Sequence, residues 1–188
     1  PIFEGSYFIS YQRCCRNETI ANINNPGAYG ATYIVEITAP AQKFCNNSPA
    51  FKSFPPIVVC VNEDINFDHS ATDRDGDQLV YEFCTPLAGG GRAGSAGFPG
   101  LESDCDGVKP DPARCLPPFT NVVFNPLYNV TAPMGGSPVV SIDPNTGLIT
   151  GKPDIFGQFV VGVCVTEYRN GVRIGAIRRD FQFNVTQC

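Results

Sequence analysis

Three carboxylates fall within five residues at Asp73, Asp75 and Asp77, in a run that begins His69-Ser70-Ala71-Thr72 and contains Gly76. Calcium takes six to eight hard oxygen ligands, so these three offer about half a site, to be completed by Asp68, Glu63 or main-chain carbonyls. The spacing is not that of an EF-hand loop. A plainer account is also open: Asp and Gly are good turn residues, and carboxylates in a turn can simply face water. Asp68-His69-Ser70 has the residue types of a hydrolytic triad, but neighbours on a strand point to opposite faces and do not converge. The glycine-rich segment from Gly89 to Gly97 lacks the Gly-Lys-Ser/Thr ending of a phosphate loop. No residue set makes an active site, and the expectation is a protein that is not an enzyme.

The elements around these residues read as strands. Ile65 and Phe67 alternate with Asn66 and Asp68 before the acidic turn, and Leu79, Tyr81 and Phe83 alternate with Val80, Glu82 and Cys84 after it, so the segment reads as two strands and a tight β connection. Residues 6–12 and 31–38 are alternating aromatic and β-branched runs. Pro55-Pro56 leads into the strand Ile57-Val58-Val59-Cys60-Val61. Short strands are expected at Asn121 to Phe124, Val139 to Ile142 and Leu148 to Thr150. The end of the chain is the clearest hairpin: Phe159, Val161, Val163 and Val165 share one face, Asn170-Gly171 is a preferred type I′ pair, and Phe181, Phe183 and Val185 return on one face. One face of this hairpin is expected to be buried and the other wet.

A chain of 188 residues holds one domain of ordinary size or one plus a fragment. Charged residues make up only 16%, and 19 Gly and 17 Pro favour many turns and short strands over helices. The net charge of −5, with 13 scattered basic residues, argues against a nucleic-acid partner and against an anionic membrane surface. No run of about 18 apolar residues is present, so no membrane insertion is expected. The chain begins at Pro1 rather than Met, which reads as a processed or excised segment.

Nine cysteines with one His and no Cys-x-x-Cys pair favour disulfides over zinc, and disulfides imply an oxidising compartment, the periplasm, the cell surface or outside, of which cell surface or outside is the expectation. The odd count leaves a thiol free or bonded to a neighbour. Residues 1–48 hold two good strands, too few for an independent core, and form an N-terminal β arm. It belongs to a preceding domain, lies as a flap on the main body, or exchanges with a neighbouring subunit. Asn46-Asn47-Ser48-Pro49 marks the boundary, and residues 49–188 form the main all-β domain. Within it residues 85–118 make a long Gly- and Pro-rich loop, which a Cys105 to Cys115 disulfide would close.

The pieces Ser48-Pro49-Ala50-Phe51, residues 71–83, residues 141–153 and residues 157–171 resemble the cadherin-like and immunoglobulin-like modules of large bacterial surface proteins. Together with residues 11–27 (YQRCCRNETIANINNPG) they are similar to repeat regions of gliding-motility-associated, type IX-secreted surface proteins of Bacteroidetes-type bacteria. The resemblance covers nearly the whole chain except the loop from Ala88 to Arg114. It implies an antiparallel immunoglobulin/cadherin-like sandwich, exported, working as a spacer or adhesion unit beside neighbouring modules or like subunits, and it names no receptor; a surface protein or a glycan stays open as ligand. Cadherin linkers carry a calcium-binding acidic-Asn signature, and here Cys45-Asn46-Asn47 precedes Ser48 without the carboxylate. In such a sandwich Cys84 and Cys164 lie on neighbouring strands, and Cys60 and Cys188 end the first and last strands, which run parallel. Cys14, Cys15 and Cys45 then share one bond and one free thiol. Tyr7, Tyr11 and Tyr128 could stack a sugar, although aromatics at strand spacing are more often core. Asn17, Asn46, Asn129 and Asn184 head glycosylation triplets, which also arise by chance. The first reading is thus a non-catalytic structural or adhesion module; the second is a filament subunit assembled by β-strand donation, and the third a carbohydrate-binding module.

Overall fold

A computed structural model describes residues 4–13, 15–89 and 118–188. Cys14, Cys105, Cys115 and the greater part of the expected long loop lie outside the described residues. The chain is mostly antiparallel β-structure. Its main sheet has the order β1 (Tyr7–Arg13), β2 (Ala31–Ile37), β11 (Val172–Thr186), β10 (Gly157–Arg169) and β7 (Gln78–Cys84), with β4 (Val58–Cys60) running parallel to the far end of β11. A smaller sheet of β5 (Ile65–Asp68), β9 (Leu148–Gly151) and β8 (Ser141–Ile142), and the pair β3 (Ala50–Phe51) with β6 (Ala71–Thr72), complete the strands. A six-residue helix α1 (Ala39–Phe44) begins where the Thr38 hydroxyl accepts the Ala41 amide. The same hydroxyl donates to the carbonyl of Ile174, which fixes the helix on β11.

Two long strands carry the core. Phe159, Val161, Val163 and Val165 of β10 are at most 1% exposed and pack with Phe183 and Val185 of β11 against Ile65, Val140 and Ile149 of the smaller layer. Alternation at period two delivers this stripe. The hairpin turn is Asn170-Gly171 with φ of 51° and 77°, the two left-handed positions of a type I′ turn. The opposite face of β10 keeps Gln158, Cys164, Thr166 and Tyr168 partly exposed, as the alternation predicts, but not its middle. Val160 is 1% exposed and sits in a second apolar cluster with Ile20, Ile23, Ala28, Tyr29, Ala88 and Val122. The arm, with Ala88 and Val122, brings apolar residues to that face, so β10 is covered on both sides around Val160.

The described residues of 1–48 join the main sheet: β2 pairs with β11 through Val35, Glu36 and Ile37 opposite Ile177, Ala176 and Gly175. Asn121 to Phe124 is not a strand. It makes isolated bridges, Asn121 with Leu87 and Phe124 with Ile23, because its partners are loops rather than a sheet edge. The expected strand at Val139 to Ile142 shortens to Ser141 and Ile142. The acidic turn also joins different partners from those of a hairpin: β5 pairs with β9, whereas β7 pairs with β10, so the connection passes between sheets.

Two disulfides close the body. Cys60 is bonded to Cys188 and Cys84 to Cys164, an oxidising arrangement. Cys15 is disulfide-bonded as well, and Cys45 is a free, exposed thiol. No helix among the described residues is long and apolar enough to cross a membrane.

Candidate functional site

The acidic turn builds itself first. Asp73 Oδ1 accepts the amides of Asp75 and Asp77, each at 2.9 Å, so one carboxylate oxygen is used to shape the loop. Asp75 turns toward the arm: its oxygens accept the Asn47 amide at 2.7 Å and the Asn47 side chain at 2.9 Å, which hold its carboxyl below the usual range. Asp77 meets Arg169 of β10 in a two-pronged pair with both contacts at 2.7 Å. Arg169 is held firmly protonated, first by Asp77. It also donates to Asn46 Oδ1 at 2.9 Å and to the Phe44 carbonyl at 3.3 Å.

Glu167 stands two residues before Arg169, yet is 0% exposed. A β-bulge between Glu167 and Tyr168 re-aims the strand here. Across the ladder lies Gly175, where a Cβ would fall 2.1 Å from Glu167 Oε2, so glycine leaves the room that the carboxyl fills. Asn46 donates to Glu167 Oε1 at 3.0 Å. Oε2, like Asp73 Oδ2, is buried without a hydrogen-bond partner, and Asp73, Asp77 and Glu167 offer oxygens within 4.8 Å of one another. Burial first, and then the charges of Asp73 and Asp77 against the opposing Asn46 bond, push Glu167 up to about 7.

The structure thus brings Asp73 and Asp77 together with Glu167, and places Asp75 against Asn47. A calcium ion finds a small donor set here. Asp77 is spent on Arg169 and Asp75 on Asn47 and Arg169, which leaves one open oxygen on Asp73 and one on Glu167, far short of six ligands. Asp68 is occupied in its own turn, accepting the Ser70 amide at 2.9 Å. Arg169 already supplies a cation. A proton shared between the two open oxygens satisfies both, and Glu167 is the group held ready to carry it.

This assignment fixes the pH dependence. A carboxyl raised from 4.5 to about 7 in the folded chain binds more protons there than when unfolded, so its contribution to stability is full below pH 4.5 and lost as pH rises to 7. The loss amounts to at most about 3 kcal/mol. Glu167→Gln is expected to remove that slope and to unfold later than the native chain at pH 8, with millimolar calcium leaving both melts unchanged. A calcium-induced rise in Tm that disappears in Glu167→Gln would make the cluster a cation site.

His69 is equally buried and does different work. It lies among the rings of Phe51, Phe67 and Phe181, with centroids 4.7, 5.4 and 5.1 Å away, and neither ring nitrogen has a hydrogen-bond partner. Burial first, and then Arg179, lower it to about 4, so it is a neutral core ring at neutral pH. The structure does not assemble Asp68, His69 and Ser70 into a proton relay. Tyr128 packs edge-on against Phe159 at 5.7 Å and belongs to the core margin, while Tyr7 and Tyr11 stand exposed on β1. Beside β2 runs a groove of about 440 Å³ lined by Tyr33, Val35, Phe51, Phe54 and Phe181. Arg179 lies 4.0 Å above the Phe51 ring at its rim.

Sequence reasoning missed Glu167 and Arg169, and read Asn46 only as a boundary residue and the head of a glycosylation triplet. One signal was present: the inward stripe Phe159, Val161, Val163, Val165 continues at period two onto Glu167, so a carboxyl is due on an apolar face, and such a group needs a partner. No family model, no curated protein and no solved structure matches the chain.

Proposed function

We propose that the chain is a non-catalytic structural and adhesion module of an extracellular, bacterial-type surface protein, an immunoglobulin- or cadherin-like sandwich that transmits tension between neighbours. The observation that carries this reading is the Cys60–Cys188 bond, which joins residues 128 apart in sequence. Tension entering before Cys60 and leaving at Cys188 crosses that bond and bypasses the strands between them. The polar groups support the same reading, because the acidic turn spends them on ties between the arm, β7 and β10. A second reading, a filament subunit formed by strand donation, is favoured by the exposed edge of β1, although β2 already occupies its place in its own sheet.

Single-molecule extension between residues 1 and 188 tests the load path. At about 3.6 Å per residue the oxidised chain is expected to stop at about 210 Å, the reach of the residues before Cys60, and to reach about 680 Å only after reduction. An oxidised chain that extends to the full length would remove the load-bearing reading.

A further inference from the structure

The inward stripe of β11 carries a charge. Ile177, Phe181, Phe183 and Val185 pack on the core at period two, and Arg179 takes the position between Ile177 and Phe181. A cation on such a face needs a partner or a path to solvent. Arg179 reaches the mouth of the groove beside β2, where its guanidinium lies 4.0 Å over the Phe51 ring and 5.4 Å from the Phe54 ring and donates to the Ser53 carbonyl at 2.7 Å. Among the described residues no carboxylate pairs with it, whereas Arg16 holds Asp180, Arg169 holds Asp77 and Arg173 holds Glu36. The protonation of these groups tells the same story. Carboxylate partners raise Arg169 and Arg173, while burial lowers Arg179 with no acidic neighbour opposing it. Asp180 also lines the groove, but both its oxygens are taken by Arg16.

We infer that this groove binds a carboxylate carried on an apolar body, with the carboxylate on Arg179 and the body against Tyr33, Val35, Ile177 and Pro55. Charge chooses the head of the ligand. The guanidinium is a planar fork that matches a carboxylate in two-pronged geometry, and it stands unpaired in a chain of net charge −5. Phe51 and Ser53 already hold it in place, so a ligand does not have to order it. The walls choose the body. A volume of about 440 Å³ falls in the range of small-molecule sites, and the lining is mostly rings and branched aliphatic groups. A sugar needs hydrogen-bond partners along its whole length and finds few. Arg178, which also lines the groove, spends its guanidinium on Cys164 Sγ and the Thr85 carbonyl, and Asp180 is held by Arg16.

The site goes beyond the load-bearing reading, which extension tests with no ligand present, so either can fail alone. Calorimetric titration of the oxidised chain with naphthoate at neutral pH is expected to show one site with a Kd of about 1 mM or tighter. Naphthamide, the same rings without the charge, is expected to bind at least about tenfold more weakly. Phe54→Asp sets a carboxylate beside Arg179 and is expected to weaken naphthoate by at least about tenfold with an unchanged thermal melt, since Phe54 is 88% exposed. Arg179→Gln is expected to weaken it as much, whereas Arg74→Gln, at an exposed arginine in the acidic turn, leaves it unchanged. Octanoate and N-acetyl-leucyl-phenylalanine separate two sources of the same chemistry: tighter binding of the first assigns a free acid, and of the second a peptide end. No saturable binding of naphthoate below about 10 mM, equal binding of naphthamide or of the neutral sugar maltose, or an affinity that survives Phe54→Asp in a folded chain would each overturn the assignment.

Discussion

Replacing Cys60 and Cys188 together by Ser is expected to cost about 4 kcal/mol of folding stability, the larger of the losses from the two cross-links with both partners described. The size follows from the loop that the bond closes while Cys84–Cys164 stays intact, about 50 residues made of 60–84 and 164–188, since closing a loop removes freedom from the unfolded chain. Local pairing cannot replace it. Without the bond, β4 is held to β11 through Val58, Val59 and Cys60 beside Asn184, Val185 and Thr186, the Asn184 contacts to Ile57 and the Val61 amide on the Thr186 carbonyl. For a chain of this length the loss corresponds to a fall in Tm of roughly 8–16 °C. Guanidinium melts of the double variant and of the oxidised native chain measure it directly, and a difference below about 1 kcal/mol would show that the unfolded chain is constrained by something else.

The second large effect concerns the tie between arm and body. Arg16 donates to both carboxylate oxygens of Asp180 in β11, at 3.1 and 2.5 Å, and to the Leu87 carbonyl at 2.8 Å, with the two side chains only 5% and 2% exposed. Removing one member leaves the other charge buried and unpaired, which costs about 3–5 kcal/mol, whereas replacing both by apolar groups of similar volume is close to neutral. Arg16→Ala and Asp180→Ala are each expected to lose stability in that range, and Arg16→Met with Asp180→Leu to recover most of it. The first place to fail is the second apolar cluster, since Ile20, Ile23 and Tyr29 are carried on the segment that Arg16 anchors. Hydrogen exchange of the Val160 and Ala21 amides, which pair with Asn22 and Gln158, reports that release. Single variants as stable as the double variant would mean that Arg16 and Asp180 do not act as a pair.

The strands and the final hairpin were legible because their cause is local. Alternation along residues 158–168 and the Asn170-Gly171 pair specify a face and a turn without any distant contact. The same local rules misread β10 as wet at Val160, because what covers it comes from distant residues, from Val122 back to Ile20. Asn121 to Phe124 has strand composition, but composition does not provide a partner strand, and the segment stays as isolated bridges. The acidic turn shows the same division. Its backbone shape could be read from Asp73 and Gly76, whereas the identity of the cation it faces could not, since Arg169 lies 92 positions from Asp77. Glu167 was the exception that the sequence marked, a carboxyl placed on an apolar stripe.

Closure of the body by the bond between Cys60 and Cys188 underlies both the load path and a large predicted loss of stability. Non-reducing peptide mapping by mass spectrometry, with free thiols alkylated before digestion, measures it most directly. The expected result is one cross-linked peptide joining Cys60 to Cys188, a second joining Cys84 to Cys164, and alkylation at Cys45. Recovery of Cys188 bonded to Cys45 or to the arm, or of Cys60 as an alkylated thiol, would contradict the account.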